Sequence, residues 1–129
     1  MTQHEAALPR KLMIVDDSKV TRMRIRAFFA AQCPQWTIQE VASGDEALVL
    51  AAQAPPDFVT MDVNMPGMSG YETAQLMLLS GQHIRIVVLT ANIQESSRQV
   101  AASLRLNFVA KPATEASLQQ ALDHLLRLE

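Results

Sequence analysis

Cysteine is almost absent from this sequence, and apolar runs long enough to cross a membrane are absent altogether. Cys33 is the single cysteine among 129 residues, so no disulfide can form within the chain and no cysteine cluster can hold a metal. This usage favours a reducing compartment, and we expect a cytoplasmic protein. Residues 1–10 are polar and mixed, unlike the apolar core of a secretion signal. The sequence therefore predicts no membrane association.

A strong excess of one charge is also missing. The chain has 11 Lys and Arg residues against 13 Asp and Glu residues, which gives a formal net charge of -2. This balance gives no electrostatic attraction to nucleic acid, and we expect no direct nucleic acid binding. No Walker phosphate loop or dinucleotide fingerprint is present among the few glycines. The length suits a single domain, which we place at residues 10–129 behind a short tail at residues 1–9.

The sequence does contain five short segments with strand character, separated by stretches with helical spacing. Continuous apolar runs rich in Val and Ile are typical of parallel strands that are buried on both faces. The alternation predicts an α/β domain with a doubly wound, five-stranded parallel sheet and five helices. The strands are predicted at residues 11–15, 36–41, 58–61, 85–89 and 107–110.

Local capping chemistry marks three of the predicted helix starts. In each, a Ser or Asn stands three residues before a Glu, so that its side chain can accept a bond from the start of the helix. The predicted fourth helix, near residues 94–104, has only a weak apolar stripe, whereas the fifth has a continuous stripe from Leu118 to Leu125. The capping pairs are Ser43 with Glu46, Ser69 with Glu72, and Asn92 with Glu95.

Polar residues stand where four of the apolar runs end. Asp16 and Asp17 follow the first run, Asp62 the third, Thr90 the fourth and Lys111 the fifth. Because the carboxyl ends of parallel strands share one edge of the sheet, these side chains should meet there. A carboxylate can attack a phosphoryl group, and several adjacent carboxylates repel one another unless a cation such as Mg²⁺ is present. The set predicts phosphoryl transfer to an aspartate beside a metal.

Four motifs in this order resemble the receiver domain of bacterial two-component response regulators, of the single-domain chemotaxis type. They are Asp16-Asp17, the segment DVNMPGMSG at residues 62–70, Thr90-Ala91 and Lys111-Pro112. The resemblance covers about residues 10–128. It implies a flavodoxin-like fold with strand order 2-1-3-4-5, an order that rests on the family alone.

The resemblance also implies a role for each site residue. Asp62 would accept a phosphoryl group from the phosphohistidine of a histidine kinase or phosphotransfer protein. Mg²⁺ or Mn²⁺ would be held by the carboxylates of Asp17 and Asp62 and by the backbone carbonyl of Asn64. Asp16 would act mostly through a water molecule. Lys111 would contact the phosphoryl group. The protein would thus be a signalling module and not an enzyme.

A second set of implied roles concerns output. Thr90 and Ala91 would contact the phosphoryl group, and Thr90 with Phe108 would form a switch pair in which the hydroxyl and the ring move together. The bond between Lys111 and Pro112 would be cis. Partners, a downstream protein or an output domain, would read the face made by the fourth helix, fifth strand and fifth helix, and a weak dimer could form there.

Two alternatives stay open on the residues alone. A phosphatase of the haloacid dehalogenase type also uses an aspartate nucleophile, but it needs an acid two residues later, where this chain has Asn64. A receiver that binds partners without phosphorylation would keep the fold and lose the metal. The chain ends at Leu128-Glu129, which would fit either a stand-alone regulator or a piece of a longer one.

The predicted first helix is strongly basic. A solvated helix face is the ordinary interpretation of such a pattern. The functional interpretation is a docking strip beside the acidic site for a kinase or a phosphotransfer helix bundle. The basic residues are Lys19, Arg22, Arg24 and Arg26.

Overall fold

A computed structural model describes residues 8–80, 83–91 and 106–127 of the chain. Within these ranges, five strands and four helices follow one another. The strands are β1 (Lys11–Val15), β2 (Thr37–Val41), β3 (Phe58–Asp62), β4 (Arg85–Thr90) and β5 (Asn107–Ala110). The helices are α1 (Lys19–Gln32), α2 (Gly44–Gln53), α3 (Gly70–Leu79) and α4 (Glu115–Leu126). α4 is the helix predicted as the fifth.

The strands form one parallel sheet in the order β2-β1-β3-β4-β5. This confirms the predicted fold class and strand order. β3, at the centre, is buried at all of its residues, as a continuous apolar run predicts. The chain order reverses between β1 and β3, and a crevice opens beyond the carboxyl ends of strands at such a point. This crevice lies next to Asp16, which follows β1, and Asp62, which ends β3.

The two faces of the sheet are covered by different helices. Alternate residues of a strand point to opposite faces, so Met13 and Val15 pack with the core under α2 and α3, while Leu12 and Ile14 pack with the core under α1 and α4. The predicted apolar stripe of the last helix is confirmed, since its members are buried against the sheet. These members are Leu118, Ala121, Leu122 and Leu125.

Two of the predicted helix starts are confirmed. The Ser43 hydroxyl accepts a bond from the backbone N–H of Glu46 at 3.2 Å, and the Ser69 hydroxyl accepts one from Glu72 at 3.2 Å. The third pair, Asn92 with Glu95, and the predicted fourth helix at 94–104 lie outside the described residues.

A full capping box occurs where the sequence does not show the usual one. At the start of α4, the Thr114 hydroxyl accepts from the Ser117 N–H at 3.1 Å, and the Ser117 hydroxyl accepts from the Thr114 N–H at 2.9 Å. The standard pattern has Glu or Gln at the second position, so a serine there gives no sequence signal.

Among the helices that the structure describes, we find no segment whose length and hydropathy would let it span a bilayer.

Candidate functional site

The strand ends deliver the predicted polar residues to one edge of the sheet. Asp62 and Thr90 are the last residues of β3 and β4, Asp16 directly follows β1, and Lys111 directly follows β5. Asp16, Asp62 and Thr90 are 1%, 5% and 2% exposed, whereas Asp17 is exposed. The structure thus brings together acidic and basic groups that are distant in sequence, with one carboxylate open to solvent.

Lys111 bridges the two buried carboxylates. Its Nζ lies 2.9 Å from Asp16 Oδ2 and 2.9 Å from Asp62 Oδ1. Its backbone N–H also donates to the Thr90 carbonyl at 2.8 Å, which holds the ends of β4 and β5 together. The Lys111-Pro112 bond is cis, as the resemblance implies. Lys111 is therefore fixed both at its backbone and at its charged end.

A group of three carboxylates is close enough to share one cation. One oxygen from each of Asp16, Asp17 and Asp62 lies within 4.8 Å of the others. Both carboxylate oxygens of Asp16 already accept bonds within the protein, one from the Ser18 N–H at 2.8 Å and one from Lys111. Carboxylate oxygens are the donors that Mg²⁺ prefers. The donor set fits a hard divalent cation, with exposed Asp17 the carboxylate nearest to solvent.

The electrostatics of the site are strongly coupled. Burial raises the pKa of Asp62, the bond from Lys111 lowers it, and the charge of Asp16 raises it again, so that the pKa stands above its ordinary value. Burial lowers the pKa of Lys111, but its bonds to Asp62 and Asp16 outweigh this, and its pKa stands above the ordinary value. Lys111 thus stays protonated. The ionised form of Asp62 is disfavoured by burial and by its acidic neighbours, and a bound cation would stabilise that form.

The loop that follows β3 is closed by backbone contacts. The Val63 N–H donates to the Leu89 carbonyl at 3.2 Å, and the Gly70 N–H donates to the Val63 carbonyl at 3.0 Å. A side chain at Gly70 would collide with the backbone of Asp62. Only glycine therefore lets α3 begin this close to the end of β3. Asn64 lies in this loop and is exposed.

Thr90 and Phe108 lie on the same face of neighbouring strands. The register pairs Val88 with Phe108 and Thr90 with Ala110. Since residues two apart on a strand share a face, the hydroxyl and the ring are neighbours on that face. Phe108 is half-buried and packs against the core under α2 and α3. The remaining part of the predicted output face, at 94–104, lies outside the described residues.

The basic residues of α1 divide into two kinds. Arg22 and Arg26 both bind Glu40 on β2, at 3.2 Å and 2.5 Å, and the bond from Arg26 is the main reason why the pKa of Glu40 is lowered. Lys19 and Arg24 are exposed. Arg22 also donates to the Asp16 carbonyl, a contact that the sequence does not reveal because it depends on how α1 lies beside the turn.

Residues 12–123 match the family described as the response regulator receiver domain. The chain belongs to this family. The match covers the sheet and most of α4, including Asp16, Asp62, Thr90 and Lys111.

Curated relatives of this receiver domain are longer proteins. A protein-glutamate methylesterase/protein-glutamine glutaminase 2 of Methanospirillum hungatei is 35% identical over 80% of this chain and 31% of its own length. The transcriptional regulatory protein LiaR of Bacillus subtilis is 29% identical over 87% of this chain and 54% of its own length. The chain thus spans between about a third and about half of the length of these relatives.

Solved structures of similar shape cover the receiver domain almost completely. Chemotaxis protein CheY4 of Vibrio cholerae superposes with a TM-score of 0.81 and 26% identity, over 92% of this chain and 99% of that one. A structure described as the CheX-CheY-BeF3-Mg+2 complex of Borrelia burgdorferi gives a TM-score of 0.85 at 22% identity, over 97% of this chain and 95% of that one. The second likeness concerns the fold alone.

Proposed function

We propose that this receiver domain accepts a phosphoryl group on Asp62 and then signals through a changed protein-binding face. The carboxylate of Asp62 attacks the phosphorus of a phosphohistidine, the new O–P bond forms, and the P–N bond breaks. The histidine nitrogen leaves with the bonding electron pair and is free to take up a proton. The observation that carries the proposal is the position of the Lys111 ammonium, whose Nζ lies 2.9 Å from a carboxylate oxygen of Asp16 and 2.9 Å from one of Asp62.

Lys111 can serve the product as well as the starting state. Its ammonium pairs with an Asp62 oxygen here, and after transfer the nearest negative charge is on the phosphoryl oxygens attached to that residue. Phosphoryl transfer depends mainly on positioning and on neutralising these oxygens. Thr90, the last residue of β4, and Ala91, which follows it, would donate to the remaining oxygens. The Lys111 ammonium would therefore pair with Asp62 before the reaction and with the attached phosphoryl group afterwards.

The carboxylate cluster supports dependence on a divalent metal. Asp17 and Asp62 would hold Mg²⁺ or Mn²⁺ with their carboxylates, Asn64 with its backbone carbonyl, and Asp16 through a water. The bound cation would neutralise charge on the phosphoryl oxygens. Asp16 has both oxygens engaged by Ser18 and Lys111, which supports an indirect part for it. The exposure of Asp17 keeps one side of the cluster open to solvent and to a partner.

The outer face of α1 supports a helical phosphodonor as partner. Val20 and Met23, in the first turns beside exposed Asp17, are 61% and 56% exposed. Lys19 and Arg24 flank them and are exposed. An apolar patch with basic neighbours suits the helices of a histidine kinase or phosphotransfer protein. Of the four basic residues in the predicted docking strip, only Lys19 and Arg24 would then face the partner, because Arg22 and Arg26 bind Glu40.

The output would follow from the coupling of Thr90 to Phe108. The two residues share a face on β4 and β5, so a hydroxyl drawn towards the phosphoryl group changes the space beside the ring. A downstream protein, an output domain or a second copy in a weak dimer would read the resulting surface. The protein would act in the cytoplasm as a signalling module.

The direct test is reaction with acetyl phosphate. Protein treated with acetyl phosphate and Mg²⁺ should gain one phosphate by intact mass, and chelation of the metal should prevent it. Asp62→Asn should gain none. Asp57→Asn is the matched control, because Asp57 is an exposed carboxylate just before β3 and should leave the adduct unchanged.

Other results would select the alternatives. An adduct undiminished in Asp62→Asn would refute the assignment of the acceptor. Sustained turnover of a phosphate ester would favour a phosphatase of the haloacid dehalogenase type. Wild-type protein that binds no Mg²⁺ and gains no phosphate would favour a receiver that works without phosphorylation.

A further inference from the structure

Arg22 joins the acidic turn after β1 to the edge of the sheet. Its Nη1 donates to the backbone carbonyl of Asp16 at 2.7 Å, and its Nε donates to Glu40 Oε1 at 3.2 Å. The side chain of Arg22 is only 16% exposed. One guanidinium therefore connects α1, the turn and β2, and its charge is balanced by a carboxylate outside the acidic cluster.

The bond to Asp16 acts on the residue that follows it. The carbonyl of Asp16 and the amide nitrogen of Asp17 belong to one planar peptide unit. A bond that fixes the direction of this carbonyl therefore also fixes the orientation of the peptide plane that leads into Asp17. The backbone N–H of Asp16 is held by the Val41 carbonyl at 3.1 Å. Arg22 supplies the second backbone restraint, whereas the side chain of Asp17 is exposed.

We propose that Arg22 is a positioning residue of the carboxylate cluster, an inference that rests on the proposed function. Arg22 orients the Asp16-Asp17 peptide so that the Asp17 carboxylate faces the cation shared with Asp62. Glu40 holds the guanidinium in place and offsets its positive charge, which would otherwise oppose cation binding. The planar fork of arginine is required, because a lysine ammonium cannot reach two acceptors with the same geometry.

Arg26 provides a matched control within the same helix. It binds the other oxygen of Glu40 at 2.5 Å. Its remaining bond goes to the Ile38 carbonyl on β2 at 3.1 Å, not to the acidic turn. Arg26→Lys therefore makes the same chemical change beside the same carboxylate as Arg22→Lys, and it leaves the Asp16 carbonyl untouched.

The experiment is calorimetric titration of wild type, Arg22→Lys and Arg26→Lys with Mg²⁺. We expect about tenfold weaker Mg²⁺ binding in Arg22→Lys, the loss typical of residues that orient metal ligands, and no more than about a twofold change in Arg26→Lys. Melting temperatures without metal measure fold stability separately. A merely structural role would lower the melting temperature of Arg22→Lys and leave its Mg²⁺ affinity unchanged.

A second measurement needs no variant. In wild-type protein, the side-chain Nη1–H resonance of Arg22 should move when Mg²⁺ is added, because Nη1 donates to the carbonyl of the peptide that leads to Asp17, a proposed ligand. The resonance of Arg26 should move less.

Each outcome bears on the inference. Equal Mg²⁺ affinity in wild type and Arg22→Lys would overturn it, and so would an equal loss in Arg26→Lys or an unmoved Arg22 resonance. These results would leave the proposed function standing. Wild-type protein that binds no Mg²⁺ would instead overturn the metal-dependent function and this inference together.

Discussion

The ammonium group of Lys111 lies 2.9 Å from the carboxylate of Asp62, so the proposed phosphate acceptor is already paired with the proposed phosphate-holding cation. The same ammonium binds Asp16 at an equal distance. One positive charge therefore serves two buried carboxylates, with a third, Asp17, close by. Three carboxylates and one ammonium leave the site without metal two positive charges short of balance, and this shortage gives the first two predictions.

Metal-free Asp62→Asn should be more stable than metal-free wild type at neutral pH. Burial and the charges of Asp16 and Asp17 raise the pKa of Asp62 in spite of Lys111, so the ionised carboxylate is disfavoured in the folded protein. Relative to the variant, the wild-type free energy of unfolding should fall as pH rises above 3.8, the ordinary pKa of an aspartate, towards the raised folded-state pKa of Asp62. The folded state holds the proton more tightly than the unfolded state over this window.

Denaturant unfolding of both proteins across this pH range measures the effect, and added Mg²⁺ should remove it by stabilising wild type. Asp123→Asn serves as control, since it removes an exposed carboxylate near the end of α4. A stability difference that is constant with pH would contradict the prediction.

Lys111→Met should destabilise the metal-free protein by about 1–3 kcal/mol, because it leaves two buried carboxylates without their charged donor. The raised pKa of Lys111 means that its stabilising effect is present below pH 10.5 and is lost as pH rises through the higher folded-state value. Thermal or denaturant unfolding at neutral pH measures the loss. Lys19→Met, at an exposed position on α1, should change stability by at most about 0.5 kcal/mol. Equal effects of the two variants would refute the assigned role.

Gly70→Ala should disturb both the fold and the site. Its Cβ would meet the backbone of Asp62, and relieving such overpacking costs about 1–3 kcal/mol and shifts the backbone. Gly67→Ala is the natural comparison, because Gly67 has a φ of +81° but open space around it, so backbone strain of about 1–2 kcal/mol is its main cost. Melting temperature and the rate of reaction with acetyl phosphate should both fall further in Gly70→Ala. A normal rate in that variant would show that Asp62 is not displaced.

Thr60→Val should stabilise the protein by about 1 kcal/mol, since it removes a buried hydroxyl that has no hydrogen-bond partner in the described part of the structure. Thr60 is 1% exposed at the middle of β3. Thr73→Val tests the reasoning, because the Thr73 hydroxyl is equally buried but donates to the Ser69 carbonyl at 2.8 Å. Denaturant unfolding should show a gain for Thr60→Val and a loss for Thr73→Val. Losses of the same size in both would contradict the prediction.

The sequence by itself determines the alternation of strands and helices. The predicted strands agree with the structure within one residue at either end, because a strand buried on both faces needs a continuous apolar run and ends where that run ends. The starts at Ser43 and Ser69 are equally local, since a capping side chain bonds within its own turn. The order of the motifs at residues 16, 62, 90 and 111 also fixes which edge carries the site.

Only the tertiary structure decides which of these polar groups touch. Lys111 and Asp16 are 95 residues apart, and their contact depends on how β1 and β5 are placed in one sheet. Arg22 and Arg26 look alike in sequence, yet of the two only Arg22 reaches the Asp16 carbonyl. Arg22 lies one helical turn closer to the acidic turn after β1, whereas Arg26 reaches the Ile38 carbonyl on β2. Periodicity records which face is buried, whereas a hydrogen bond between distant residues depends on packing distances that no local pattern contains.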